Sequence, residues 1–351
     1  MALLAVLVLG VGSVLVPRNT GKPQAVPFSQ AARTEALDST EDLARGATLL
    51  EPAADRGAGS ETDSTGLAAT VTLLTTQSRA LLPGSATSPS LSVQGSGTAS
   101  TAPSSPAASQ EPPTRESFVA ALASSASRRL ADAGKADGGI ARLLAAVGTS
   151  QLLESSRLAT AWGLPQPTAT VEAVPAPAAF PSCPPRPEAS AAATSAAETG
   201  SRADLPDALA AVVSSEQEAV YAYQVAVTKL DAKSSATAAT WLARHQELLR
   251  GAEDQGRLHC VATPPREAGY RLPVTFPSKP AATLGSMEAS SLEAYADLVA
   301  LSDGTTRQWA LGVLVETAKR SEAWGTQLGP FPGLPVDDAG LPPLPAGTPA
   351  P

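Results

Sequence analysis

Four segments in the C-terminal part of the chain carry apolar residues at steps of three and four, the spacing that puts side chains on one face of an α-helix. They predict helices at about residues 205–230, 234–255, 281–301 and 305–328. Asp204 suits the N-cap of the first helix, with Pro206 in its first turn, and Gly256 is well placed to end the second. The pattern predicts a four-helix bundle over residues 204–329.

Each of these apolar faces is interrupted near its middle by one ionisable residue. The four residues are Glu216, His245, Glu288 and Glu316. A charged side chain on an apolar face is costly unless it is paired or binds something. Because the midpoints of antiparallel helices of similar length align, we expect the four groups to meet in the core. The neighbouring Arg244 is expected to point elsewhere.

Two interpretations of this cluster remain open. In one, the four residues bind a single iron, manganese or zinc ion, since three carboxylates and an imidazole are suitable ligands. In the other, they form a buried polar network without metal, and we favour this one because the charges can balance when the histidine is protonated. The further members of that network would be Tyr223, Tyr295, Lys319 and Arg320.

Residues 28–163 show weaker helical patterns and predict a smaller helical region. Helices are expected at about 28–50, 66–82, from Thr114 onward, and at 140–162. Residues 83–113 are rich in Pro, Ser and Ala with one charge, Glu111, so they cannot offset their ordering entropy and should be disordered. Similar composition predicts a linker at 164–203 and a Pro-rich tail at 330–351, of which only the first part should pack on the bundle. The fold class is therefore predicted to be all-α.

The N-terminus predicts export. Residues 2–16 are apolar apart from Gly and Ser, too few for a membrane span of about 20 residues but suited to a secretory signal. We expect a cell-envelope protein, either secreted or anchored to the membrane by residues 1–16; a buried core helix is the alternative. In an exported chain Cys183 and Cys260 could form a disulfide, and two free thiols are the alternative.

The net charge and the absence of common catalytic motifs argue against several classes of function. The net charge of −8 argues against a nucleic-acid partner. The sequence has no phosphate loop, dinucleotide fingerprint or nucleophile elbow, and two histidines leave few options for acid–base triads. We therefore predict no catalytic residue and expect a binding or scaffold role, with a protein partner at the cell envelope; a metal-binding protein or oxidoreductase is the alternative.

Several short motifs of the C-terminal segment resemble a known family. They are Glu216-Gln-Glu-Ala-Val-Tyr221-Ala-Tyr223, Arg244-His245-Gln, the helix with Glu288 and Tyr295, and Pro330-Phe-Pro-Gly-Leu-Pro. In order and spacing they look like a ferritin-like domain of unknown function (domain of unknown function 4439) of actinobacterial exported proteins, over about residues 204–335. The resemblance implies a ferritin-like four-helix fold and no established reaction.

The resemblance also shows where the chain departs from di-iron proteins. Those proteins use one Glu from each of two helices and a Glu-x-x-His pair from each of the other two. Here Leu242 stands three residues before His245, and Lys319 three residues after Glu316. Since two expected ligands are missing and an ammonium replaces an imidazole, the resemblance implies an incomplete di-iron site.

Overall fold

The computed structural model describes residues 26–56, 61–84, 113–167, 174, 179–183 and 203–345, with the backbone alone at 51–56 and 61–65. Within these residues there are eight α-helices, one short 3-10 helix and no strand, which confirms the all-α prediction. The predicted signal segment and most of the predicted loop and linker lie outside the described residues. The helices are α1 (Phe28–Arg56), α2 (Glu61–Leu81), α3 (Arg115–Ala133), α4 (Gly138–Ala161), α5 (Leu205–Val227), α6 (Ala232–Leu258), α7 (Pro280–Leu301) and α8 (Gly304–Ala323).

The helix ends follow local chemistry. Asp204 caps α5 by accepting from the Asp207 N–H at 3.0 Å, and Asp231 caps α6 in the same way. Two predicted ends are wrong. Helix α6 continues past Gly256 to Leu258, because Cys260 takes the left-handed position (φ 56°) that terminates it. Helix α8 ends at Ala323 and not near residue 328, because Gly325 has φ 90°.

The two halves of the described chain repeat one topology. In the N-terminal half α1 pairs with α2 and α3 with α4, and α1 also packs on α3. In the C-terminal half α5 pairs with α6 and α7 with α8, and α5 also packs on α7. Each half is therefore built from two helical hairpins joined through their first helices, a repeat that the sequence analysis did not predict.

The halves pack on each other mainly through α4, which contacts α7 and α8. Apolar residues of both halves form one continuous core cluster, and each half has a smaller cluster of its own beside it. At Gly138 a Cβ atom would lie 2.3 Å from the Ala300 oxygen, so only glycine allows this approach of α4 to α7. Arg307 of α8 donates from Nη1 to the Ala136 oxygen at 2.6 Å. The N-terminal half thus shares a core with the bundle.

The tail lies across the junction of the halves. Phe331 and Leu341 are buried, and Gly333 (φ 76°) lies so close to α7 that a Cβ would be 2.5 Å from the Leu292 oxygen. Arg79 of α2 donates from Nε to the Pro342 oxygen at 3.0 Å. The expectation that only the first part of the tail packs is therefore wrong as far as residue 345, because α2 of the other half binds its carbonyl groups.

None of the helices in the described ranges is both long and apolar enough to cross a bilayer.

Candidate functional site

Three of the four mid-helix residues meet in the core of the C-terminal bundle. Glu216 on α5 is 1% exposed, and His245 on α6 and Glu288 on α7 are each 2% exposed. The His245 Nδ1 atom is 2.8 Å from Glu216 Oε2, and its Nε2 atom is 2.9 Å from Glu288 Oε1. The imidazole therefore bridges two buried carboxylates from two other helices.

Helical periodicity explains why these side chains point inward. Each shares its face with buried apolar residues three or four positions away. On α5 these are Val212 and Val213; on α6, Leu248 and Leu249; on α7, Leu284 and Leu292. Burial of these neighbours fixes the rotation of each helix, so the ionisable residue on the same face points into the bundle.

Two tyrosine hydroxyls donate further hydrogen bonds to these carboxylates. Tyr223 donates to Glu288 Oε1 at 2.6 Å, and Tyr295 donates to Glu216 Oε1 at 2.5 Å. The Tyr223 oxygen in turn accepts from Trp324 Nε1 at 2.7 Å. Burial, together with the neighbouring carboxylates, raises the pKa of both tyrosines well above the usual value. Both hydroxyls therefore stay protonated and act as donors.

Arg320 on α8 joins Glu288 to Glu316, which His245 does not contact. Its Nε atom lies 3.1 Å from Glu288 Oε1, and its Nη1 atom lies 2.9 Å from Glu316 Oε1. The side chain is 4% exposed, and Nη2 donates to Thr317 Oγ1 at 2.9 Å. A planar guanidinium can make such divergent hydrogen bonds at once, which a lysine ammonium does less well.

Glu316 lies at the edge of the cluster. Its side chain is 35% exposed, and its hydrogen bonds go to arginines and not to His245 or Glu216. Arg244 on α6 donates from Nε and Nη2 to the two Glu316 oxygens, both at 2.8 Å, a bidentate ion pair. The expectation that Arg244 points elsewhere is therefore wrong, because its long side chain reaches across to α8. Sequence reasoning had only one hint, its position beside His245 in a family motif.

Lys319 does not belong to the network. It is exposed, whereas Arg320, the next residue, is buried. One residue turns an α-helix by roughly 100°, and this rotation takes Lys319 to the solvent side of α8. Of the predicted network members, the structure brings together Tyr223, Tyr295 and Arg320 and leaves Lys319 in solvent.

The cluster is balanced in charge. Three carboxyl groups (Glu216, Glu288, Glu316) face two guanidinium groups and one imidazole. Burial alone would lower the pKa of His245, but its hydrogen bonds to the two glutamates outweigh burial and raise the pKa to about 9. Burial would raise the pKa of Glu288, yet His245 and Arg320 hold it below the usual value. At neutral pH the histidine is therefore a cation, and the cluster is close to electroneutral.

These residues do not suit a metal ion as they are arranged. No group of three or more His, Cys, Asp or Glu side chains in the described ranges has an arrangement that could hold one. Both nitrogens of His245 face carboxylates, and a protonated imidazole has no lone pair for a metal. Arg320 contributes the positive charge between Glu288 and Glu316.

A cleft of about 300 Å³ between α5 and α7 reaches the network from outside. Exposed Arg271 and Glu218 line it along with the buried residues Tyr223 and Glu288. Small side chains such as Ala219 and Ser291 leave the space open. Because its lining comes from three separate segments, no single sequence pattern indicates this cleft.

Cys183 and Cys260 form a disulfide, and no free cysteine is present in the described residues. The bond fastens the short described segment 179–183 to the end of α6. Beside it the Arg257 guanidinium carbon lies 4.3 Å from the centre of the Phe180 ring, a cation–π contact. Two exposed chain segments are thereby held together far from the buried network.

The raised pKa of His245 predicts a pH dependence. A folded-state pKa of about 9, against 6.5 for the unfolded chain, means that the stabilisation is complete below pH 6.5 and is lost as pH rises through 9. The free energy of unfolding of wild type, relative to His245→Gln, should fall by about 3 kcal/mol between pH 6 and pH 9.5. Denaturant titrations at both pH values measure it, and an equal change in both proteins would contradict the assignment.

The placement of Lys319 and Arg320 predicts very unequal effects of matched substitutions on stability. Arg320→Met leaves Glu288 buried with less positive charge and should lower the free energy of unfolding by about 3–5 kcal/mol. Lys319→Met removes the same charge from an exposed position and should change it by no more than about 0.5 kcal/mol. Urea denaturation of the two variants tests this. A comparable loss in both would show that Arg320 is not the buried partner.

Comparison with known proteins agrees with the C-terminal motifs. The matching model is described as a domain of unknown function (DUF4439) and spans α5 to α8 with the first part of the tail, and so the whole network. No curated protein and no solved structure matches the chain. Residues 208–336 of this chain therefore match the family model of DUF4439, the domain of unknown function that their motifs resemble.

Proposed function

We propose that this protein is an exported cell-envelope protein whose C-terminal half is a degenerate ferritin-like bundle with a non-catalytic binding or scaffold role. One observation carries the proposal. The His245 imidazole lies between Glu216 and Glu288 with both nitrogens in hydrogen bonds. The protein's own cations thus supply the positive charge that a metal ion would supply in a ferritin-like enzyme.

The placement of the ionisable residues supports the ferritin-like assignment. In di-iron bundles two helices each contribute a Glu and the other two each contribute Glu-x-x-His. Here α5 and α7 carry Glu216 and Glu288, α6 keeps a histidine without its glutamate, and α8 keeps a glutamate without its histidine. The remaining ligand-type residues are thus distributed over the four helices as in a di-iron bundle, and Arg320 is an additional member of the cluster.

The protonation states support a non-catalytic role. A general base must be unprotonated near neutral pH and within reach of a substrate proton. His245 has a pKa of about 9, and its two ring nitrogens are already committed to carboxylates. The network links α5, α6, α7 and α8 through charge-assisted hydrogen bonds, so its effect is to hold the four helices in one arrangement.

The disulfide and the N-terminal segment support export. Disulfides persist mainly in oxidising compartments outside the cytoplasm. Cys183 and Cys260 are both exposed, so a reducing cytoplasm would have access to the bond between them. The apolar run at residues 2–16 acts as an export signal in this proposal, and the exported protein is either secreted or attached to the membrane.

Metal analysis tests the non-catalytic proposal. Wild type and His245→Gln are purified without metal-affinity chromatography, incubated with Fe²⁺, Mn²⁺ or Zn²⁺, and desalted. Both should then retain far less than one metal ion per chain. Mass spectrometry of the elements measures the content, and circular dichroism confirms that both proteins are folded. One ion per chain in wild type that is lost in folded His245→Gln would support the alternative, a metal-binding bundle or oxidoreductase.

A reporter fusion tests export. Residues 1–27 joined to an alkaline phosphatase that is active only outside the cytoplasm should give activity in cells. Replacement of Leu7 and Leu9 by arginine breaks the apolar run and should abolish the activity without changing the amount of fusion protein. Equal activity of the two fusions would argue against an export signal in this segment.

A further inference from the structure

A long groove lies between α1 and α3 in the N-terminal half, away from the buried network. Its volume is about 810 Å³. On α1 its lining residues run from Glu35 to Leu49. At 1.5 Å per residue this stretch is about 21 Å long, nearly four helical turns. The groove therefore has the length of a short helix.

The floor of the groove is apolar and is kept open by a glycine. Gly46 lies inside α1, where glycine is less favourable than alanine. A Cβ atom there would lie 3.5 Å from Phe118 Cδ2 and 3.6 Å from Pro113 Cγ, ordinary contact distances, so packing does not exclude a small side chain. What glycine provides is space above the Phe118 ring. Leu43 extends this floor, and Leu49, 41% exposed, lies at its end.

One wall of the groove is acidic. Glu35, Asp38 and Asp42 project from α1 at steps of three and four, on one side of the helix. Glu35 is held by Arg128 and Arg129, and Asp42 pairs with Arg45 at 2.6 Å. Asp38 forms no ion pair with any residue that the structure describes and is exposed.

The charge of Asp38 also acts on a neighbour on its own helix. The pKa of the nearby Glu41 is raised first by burial and then by the charge of Asp38. The opposite wall, on α3, carries the small neutral residues Ser117, Ala121 and Ser124 and, at one end, Arg128, which pairs with Glu35. Away from these ion pairs, the groove combines an apolar floor with an acidic edge at Asp38 and a neutral edge.

We propose that this groove docks an amphipathic helix of a partner protein, with apolar residues on the floor and lysine or arginine along the Asp38 edge. An apolar groove that accepts one face of a helix is a recurrent mode of peptide recognition, and the charged edge sets the orientation of the bound helix. A second copy of this chain is a poor occupant, since its net charge is −8. The proposal names the surface for the binding role proposed above and rests on that role, but it uses no residue of the C-terminal network.

A labelled model peptide tests the proposal on the full chain. The probe is a 14-residue helical peptide with leucine at positions i, i+3, i+4 and i+7 and lysine along one edge, followed by fluorescence anisotropy. Asp38→Lys reverses the exposed charge of the wall, and Gly46→Leu fills the floor. Each should weaken binding at least tenfold.

Two matched variants serve as controls. Glu267→Lys makes the same change in net charge at an exposed position in the connection between α6 and α7 and should change binding less than twofold. Gly46→Ala should unfold at the same or a higher temperature than wild type, because its Cβ fits and alanine favours the helix. A folded Gly46→Ala variant would show that position 46 tolerates a side chain, so that a loss of binding in Gly46→Leu comes from filling the groove.

Three results would overturn the proposal. These are no binding of the lysine peptide to wild type, equal binding to Asp38→Lys, or an equal loss in Glu267→Lys, which would indicate attraction by net charge alone. None of them changes the metal content of the bundle. Failure of the groove and failure of the non-catalytic assignment are therefore distinguishable.

Discussion

The C-terminal half depends on one constraint, that buried carboxylates must have partners of opposite charge. Removing an ion from water costs several kcal/mol even after the protein relaxes. Glu216 and Glu288 are almost completely buried, so their charges must be met inside the bundle. His245 pairs with both carboxylates, and Arg320 pairs with Glu288 and also with Glu316. Because these partners come from different helices, the need for charge balance also fixes how the helices are placed.

On the proposed ferritin-like assignment, the same constraint explains why protein cations lie where a di-iron protein would hold metal. A metal ion and a set of cationic side chains are alternative solutions to one electrostatic problem. Once a guanidinium lies between two of the carboxylates and the imidazole is protonated, a further cation would meet repulsion. On the proposed non-catalytic role, the network has kept the inward-facing residues of the bundle while giving up the lone pairs that catalysis by metal requires.

The two halves show that one topology can have different cores. In the N-terminal half a group of neutral buried side chains links α1, α2 and α4: Gln151 Nε2 lies 3.3 Å from Thr40 Oγ1 and 3.1 Å from Gln77 Oε1. Gln77 also binds the tail, through the Pro330 oxygen at 3.0 Å. The N-terminal half carries the open groove, while the C-terminal half carries the buried charged network. The shared α4 interface and the tail hold the two together.

Hydrophobic periodicity by itself determined much of this protein. It predicted the helices of the bundle and the inward direction of Glu216, His245 and Glu288, since helical geometry fixes where each Cβ points. Where long side chains end was decided by the tertiary structure. Arg244 reaches Glu316 across the space between α6 and α8, and Arg320 reaches it from one turn away on α8 itself. Lys319, one residue before Arg320, faces solvent. The repeated topology, the cleft between α5 and α7 and the groove between α1 and α3 depend on distances between segments that are far apart in the chain. No local sequence pattern encodes such distances.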